Sequence, residues 1–153
     1  MKKLFLTIIV TSLFSSLYGQ IYIDKYINDA KEISIKWLND LNHRNLKNCW
    51  DMHSEEAKKV NGSFKSWSKY LNELMQEFGY LKNRDVTNAY FRSSIEGKED
   101  GFYVFVEYSC DYELTENHRE VVVLKQNDQT KWRIDAWEYE FMHQEGKENT
   151  EKN

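Results

Sequence analysis

The spacing of apolar residues along this chain changes once, near residue 80, from a period of three to four to a period of two. Residues 22–41 place Ile23, Tyr26, Ile27, Ala30, Ile33, Trp37, Leu38 and Leu41 on one stripe, with Asp24, Lys25, Asn28, Asp29, Lys31, Glu32 and Lys36 opposite. That is the pattern of a helix with one buried face. Asn42-His43 interrupts it. A short second helix is expected from about Arg44 to His53, with Leu46, Cys49, Trp50 and His53 on one side. Residues 54–62 form a polar connector with room for another helical turn, apolar at Ala57 and Val60. A third helix starts after Ser63, whose hydroxyl can accept a free backbone N–H as an N-cap. Its stripe is Phe64, Trp67, Leu71, Leu74, Met75 and Phe78, and it stops at Gly79, where a left-handed cap needs no Cβ.

Beyond Gly79 the alternation is that of strands. Leu81 to Arg92 reads as a bent strand. A turn-rich connector, Glu96-Gly97-Lys98-Glu99-Asp100-Gly101, leads to a long strand on which Phe102, Val104, Val106, Tyr108, Cys110, Tyr112 and Leu114 alternate. Thr115 to Arg119 is a polar loop. Glu120 to Gln126 is the third strand, and a tight connection at 127–130 leads into the fourth, Lys131 to Phe141. In the fourth, parity slips from Trp132, Ile134 and Ala136 to Trp137, Tyr139 and Phe141. Either a β-bulge near Ala136 or burial on both faces accounts for that. Helices first and strands after predict an α+β fold, about three helices on a curved four-stranded antiparallel meander.

The first nineteen residues stand apart. Lys2 and Lys3 precede an apolar run from Leu4 to Leu17, which ends at Tyr18-Gly19 before Gln20. This is the layout of a secretory signal peptide. The run is about 15 residues long and broken by Thr7, Thr11, Ser12, Ser15 and Ser16, short of the roughly 20 apolar residues of a spanning helix. Gln20 occupies the place where a lipoprotein would carry its cysteine. The expected organisation is therefore a leader over 1–19, one α+β domain over 20–142 and a disordered polar tail over 143–153, exported to the periplasm or secreted and soluble after cleavage.

Composition narrows the partners. The formal charge of −4 becomes −6 when Lys2 and Lys3 leave, which argues against nucleic acid and against anionic lipid. The four histidines, His43, His53, His118 and His143, show no zinc spacing. There is no phosphate-binding glycine loop and no nucleophile elbow, so neither a cofactor nor a metal is expected. Cys49 and Cys110 lie on apolar faces. In an oxidising compartment they invite a disulfide closing a loop of about 60 residues, with a gain of about 4 kcal/mol. Two separate buried thiols are the alternative.

Several motifs together carry a resemblance: Lys36-Trp37-Leu38, Cys49-Trp50-Asp51, Phe64 through Trp67, Phe78-Gly79-Tyr80-Leu81-Lys82-Asn83-Arg84, Asp100-Gly101-Phe102-Tyr103-Val104 and Trp132-Arg133-Ile134. Over about residues 25–141 the chain resembles a family of small exported bacterial proteins known only as a domain of unknown function. That family in turn resembles the cone-shaped fold of nuclear transport factor 2, the SnoaL-like cyclases and ketosteroid isomerase. The resemblance implies a cavity, reduced here because no strand pair separates the second and third helices. Fold analogy alone implies little about activity.

In such a cone Arg84 points inward, where its guanidinium would bind a ligand carboxylate. A structural pair with Asp85, Asp51 or Glu107 is the alternative, and Arg92, at the same parity, carries the same two readings. Asp51 and His53 with Tyr90, Tyr103 or Tyr108 form a weak proton-transfer candidate, set against a helix-end Asp and a partly exposed His. Trp50, Trp67, Trp132 and Trp137, with Tyr103, Tyr108, Tyr112 and Tyr139, either line a pocket or fill the core. The reading favoured is a non-enzymatic envelope module that binds a small apolar ligand or a protein partner. An isomerase- or cyclase-like enzyme using Asp51 and a homodimeric assembly factor are the alternatives.

Overall fold

A computed structural model describes the backbone of residues 2–141 and the side chains of 20–141. The side chains of the expected leader and the expected tail from residue 143 lie outside the described residues. Four helices precede four strands: α1 Lys2–Asn42, α2 Leu46–Asp51, α3 Glu55–Asn61, α4 Phe64–Phe78, β1 Leu81–Arg92, β2 Tyr103–Tyr112, β3 His118–Gln126 and β4 Trp132–Phe141. The strands form one antiparallel sheet in the order β1-β2-β3-β4. The α+β arrangement expected from the change of period is the one observed.

Two helices differ from expectation. α1 starts at Lys2 rather than near residue 22 and runs unbroken through Gly19. No proline stands in the way, and a single interior glycine costs a helix only about 1 kcal/mol. Among the described residues no helix is long and apolar enough to cross a membrane. The connector after His53 makes the extra helix α3, whose N-cap Ser54 accepts from the Ala57 N–H. Ser63 caps α4 as expected, in a reciprocal capping box with Ser66. At Gly79 the backbone has φ 77° and ψ −156°, a glycine-only region beyond the ordinary left-handed cap. A Cβ there would stand 2.9 Å from Cβ of Glu113, so the α4–β1 corner requires this residue on two grounds.

The even-numbered residues of β2 and β3 face the helices. Val104 pairs with Leu124, Val106 with Val122, Tyr108 with Glu120 and Cys110 with His118. Ala30, Trp37, Leu38 and Leu41 of α1 and Trp67, Leu71, Leu74, Met75 and Phe78 of α4 close over them in a single core. A register shift between Val123 and Leu124 leaves Asp135 unpaired on β4. This bulge accounts for the parity slip and turns Trp137 and Tyr139 toward the same core.

The opposite sheet face carries a smaller cluster, in which Tyr103, Val121 and Val123 are buried. The β1–β2 connector folds across it. Ile95 packs on the cluster, the Tyr103 hydroxyl donates to the Glu99 carbonyl at 2.7 Å, and Lys98 pairs with Asp135. Further along that face Arg119 bridges Glu107 and Glu140. The connector thus covers the apolar cluster on this face.

Candidate functional site

Most of the residues singled out by sequence fall into two separate places. The first lies inside the core. Arg84 on β1 reaches across β2 to Glu120 on β3, with Nη2 at 3.1 Å from Oε2 and 3.2 Å from Oε1. Its side chain is 8% exposed and that of Glu120 is 0% exposed. Nη2 also donates to the Tyr112 hydroxyl at 2.7 Å, and that hydroxyl bonds in turn to Glu120. Trp137 Nε1 donates to the other Glu120 oxygen at 3.4 Å. Burial acts to lower the Arg84 pKa, but the Glu120 charge outweighs it and raises it. Arg84 is therefore held by an internal carboxylate, and the partner is Glu120 rather than Asp85, Asp51 or Glu107. Above this cluster Tyr108 hydrogen-bonds Ser34, a fully buried serine of α1.

Arg92 does not share that interior. A second register shift, between Val86 and Asn88, reverses the parity of β1, so Arg92 lies on the opposite sheet face with its guanidinium 4.9 Å from the Tyr90 ring centre. Most of the aromatic side chains pack against one another, while Tyr108 and Arg84 border a surface pocket of about 300 Å³ with Ile35, Leu38 and Val86. Trp37 and Trp137 stand 5.9 Å apart, Phe78 and Tyr112 5.1 Å, and Trp50 and Trp67 5.3 Å.

In the structure Cys49 and Cys110 are both free and buried. Cys49 Sγ donates to the Trp37 carbonyl at 3.5 Å on the α1 side. Cys110 lies beside Arg84 and His118 on neighbouring strands. Burial pushes both thiols up to about 12, which leaves them inert. Neither thiol should react with a thiol reagent at pH 8 in native protein, and both should react in urea. A melting temperature that falls on adding reductant would contradict this.

The second place is a surface cleft of about 800 Å³. One wall is the α2–α3 junction, Asp51 to Lys58. The others are the end of the β1–β2 connector, Glu99 to Phe102, and the β3–β4 hairpin from Lys125 to Gln129 with Arg133. The bulge residue Asp135 fixes this arrangement. It accepts from the Ser54 hydroxyl at 2.9 Å and pairs with Lys98, tying α3 and the connector to β4.

His53 lines this cleft and is 5% exposed. Its backbone is held against β4, since the Ser54 N–H donates to the Ile134 carbonyl at 2.8 Å and the Ile134 N–H to the Met52 carbonyl at 3.0 Å. Its ring is packed against three indoles, with centres 5.8 Å from Trp37, 5.8 Å from Trp50 and 5.0 Å from Trp67. Burial, aided by Lys58, lowers the imidazole from 6.5 to about 4. Asp51, its intended catalytic companion, turns outward, with its side chain 58% exposed and paired to Lys47. Asp51 and His53 share the wall of the cleft, but the Asp51 carboxylate is engaged by Lys47, and His53 is buried rather than partly exposed.

A base that is harder to protonate when folded destabilises the fold in acid. Unfolded chains take up the His53 proton below pH 6.5, whereas the native ring takes it only near 4. Its stabilising contribution is complete above pH 6.5 and is lost as pH falls to about 4, by on the order of 3 kcal/mol. His118, buried among Phe78, Tyr112 and Phe141, has its pKa lowered by burial and adds to the same slope. A stability–pH curve for His53→Gln should be flatter between pH 7 and 4 than wild type. Equal slopes would show that His53 is not the group responsible.

Glu120, Ser34, Ser54 and Asp135 were missed by sequence reasoning. Two of them carry a local signal. Ser34 is four residues from both Ala30 and Leu38 on the buried stripe, and Glu120 shares the parity of Val122 and Leu124. A polar group at a core position needs an internal partner.

Comparison with known families gives one finding. The family model described as "Protein of unknown function (DUF4019)" matches residues 34–137, from the middle of α1 to β4. No curated protein matches the chain.

Proposed function

We propose that this chain, which belongs to the DUF4019 family of proteins of unknown function, is an exported, non-enzymatic module that binds a protein partner in the cleft beside His53. The observation that carries the reading is where open space lies. The interior is filled by its own aromatic rings and by the Arg84–Glu120 pair, whereas the cleft of about 800 Å³ is open and walled by three separate segments. Export is supported by Lys2, Lys3 and the apolar run up to Gly19. Kinship with the cone-shaped folds is supported by the order of helices and antiparallel strands, with the would-be cavity given over to packing. A small apolar ligand inside the fold is the weaker reading, because its space is taken by Trp37, Trp137 and Tyr139.

The test is site-specific photo-crosslinking in intact cells, from Gln129 in the cleft and from Glu138 on the opposite sheet face, with the N-terminus of the recovered protein sequenced. The reading expects an adduct from Gln129, none from Glu138, and a mature chain that starts at Gln20. Adducts from Glu138 alone would place the binding surface elsewhere. A retained Met1 would remove the export part.

A further inference from the structure

The cleft has a charge pattern that identifies what it takes, provided that it is the binding site argued above. Its walls carry six carboxylates, from Asp51, Glu55, Glu56, Glu99, Asp100 and Asp128, against three cations, from Lys58, Lys125 and Arg133. The two lysines are already paired with carboxylates, whereas Arg133 is held by a neutral carbonyl. Lys58 pairs with Glu55, Lys125 pairs with Glu56 and Glu99, and Arg133 donates to the Asp51 carbonyl at 3.3 Å. Asp100 and Asp128 are exposed on facing loops, and among the described residues neither has a cationic partner. Two free carboxylates in a concave wall of net negative charge attract a cation and focus its approach.

His53 supplies an independent pointer. It is 95% buried, yet it lines the cleft and its Nδ1 has no hydrogen-bond partner. A neutral imidazole carries one N–H donor, on one of its two ring nitrogens. The ring therefore offers a neutral donor, suited to a carbonyl oxygen. Phe102, 42% exposed at the cleft edge, gives an apolar surface for the stem of a long side chain.

We propose that the cleft binds a basic, extended segment of a partner polypeptide, its Lys or Arg head groups meeting Asp100 and Asp128 and a backbone carbonyl meeting His53. A free polyamine shares the cationic chemistry but lacks the carbonyl, so the two sources are separable.

The experiment titrates the full isotope-labelled chain with three probes: a blocked alternating Ala-Lys hexapeptide, its Ala-Glu counterpart and spermidine. NMR follows the His53 ring and the backbone amides of Asp100 and Asp128. The expected result is that the Ala-Lys peptide shifts all three, binds more weakly as salt rises, and binds about fivefold to tenfold more weakly to Asp100→Asn/Asp128→Asn. Both positions are exposed, so the double variant should keep its fold, which the remaining amide spectrum shows directly. Binding of the Ala-Glu peptide at these residues, or no shift with Ala-Lys, overturns the proposal. Spermidine binding as tightly as the peptide overturns the polypeptide part. If Ala-Lys fails while crosslinks from Gln129 persist, the ligand class is wrong and the cleft still stands. If both fail, the cleft itself is wrong.

Discussion

Replacing Arg84 with methionine should destabilise the protein by about 3–5 kcal/mol, the range for stranding one member of a buried ion pair. Methionine preserves most of the volume, so the loss is electrostatic rather than a cavity. Glu120 would keep only the Tyr112 hydroxyl and the Trp137 N–H as donors and would lose its only cationic partner at a position that is 0% exposed. Adding Glu120→Gln to Arg84→Met should recover part of that loss. A neutral amide still accepts from Tyr112 and no longer needs a cation, so the two substitutions are coupled by at least about 1 kcal/mol. Urea unfolding of the two single variants and the double variant measures this. An Arg84→Met variant within about 1 kcal/mol of wild type, or strict additivity, would mean that water reaches the pair.

Trp37→Ala should cost about 3–5 kcal/mol, as large-to-small changes of buried aromatics do. Trp37 is 1% exposed, its Nε1 donates to the Cys49 carbonyl at 3.2 Å, and its ring meets both His53 and Trp137. It thus joins α1 and α2 to β4 and screens the imidazole at the cleft. Its removal should also let the His53 pKa climb from about 4 toward 6.5, because the displacement is due first to burial. A ring titration by NMR reads this separately from stability. A large loss of stability with His53 still titrating near 4 would show that Trp50 and Trp67 alone keep the ring dry.

Most of the candidate site was not legible before folding, and the residues show why. Asp51 and His53 are two positions apart, yet one points into solvent and the other lies under three indoles, because a short helix ends between them. Arg84 and Arg92 share parity in the sequence and are split to opposite faces by one extra residue at Thr87. Cys49 and Cys110 share apolar patterning, but patterning does not fix the distance between two buried thiols. The fold was far more legible, as the match of the α4 and β1 boundaries to the periodic runs shows. Those elements depend on local spacing, capping and chain direction, all of which are written in consecutive residues.

By itself, then, the sequence determined the α+β order, the antiparallel meander and the helix stop at Gly79, since each follows from neighbours along the chain. The tertiary structure alone decided that Arg84 belongs to Glu120, that Asp135 anchors α3 and the β1–β2 connector, and that an acidic cleft opens beside His53. Those outcomes depend on strand register and on the irregularities that shift it. A shift of one residue moves a side chain to the other face of a sheet, and only the packing of the whole domain sets where that shift occurs.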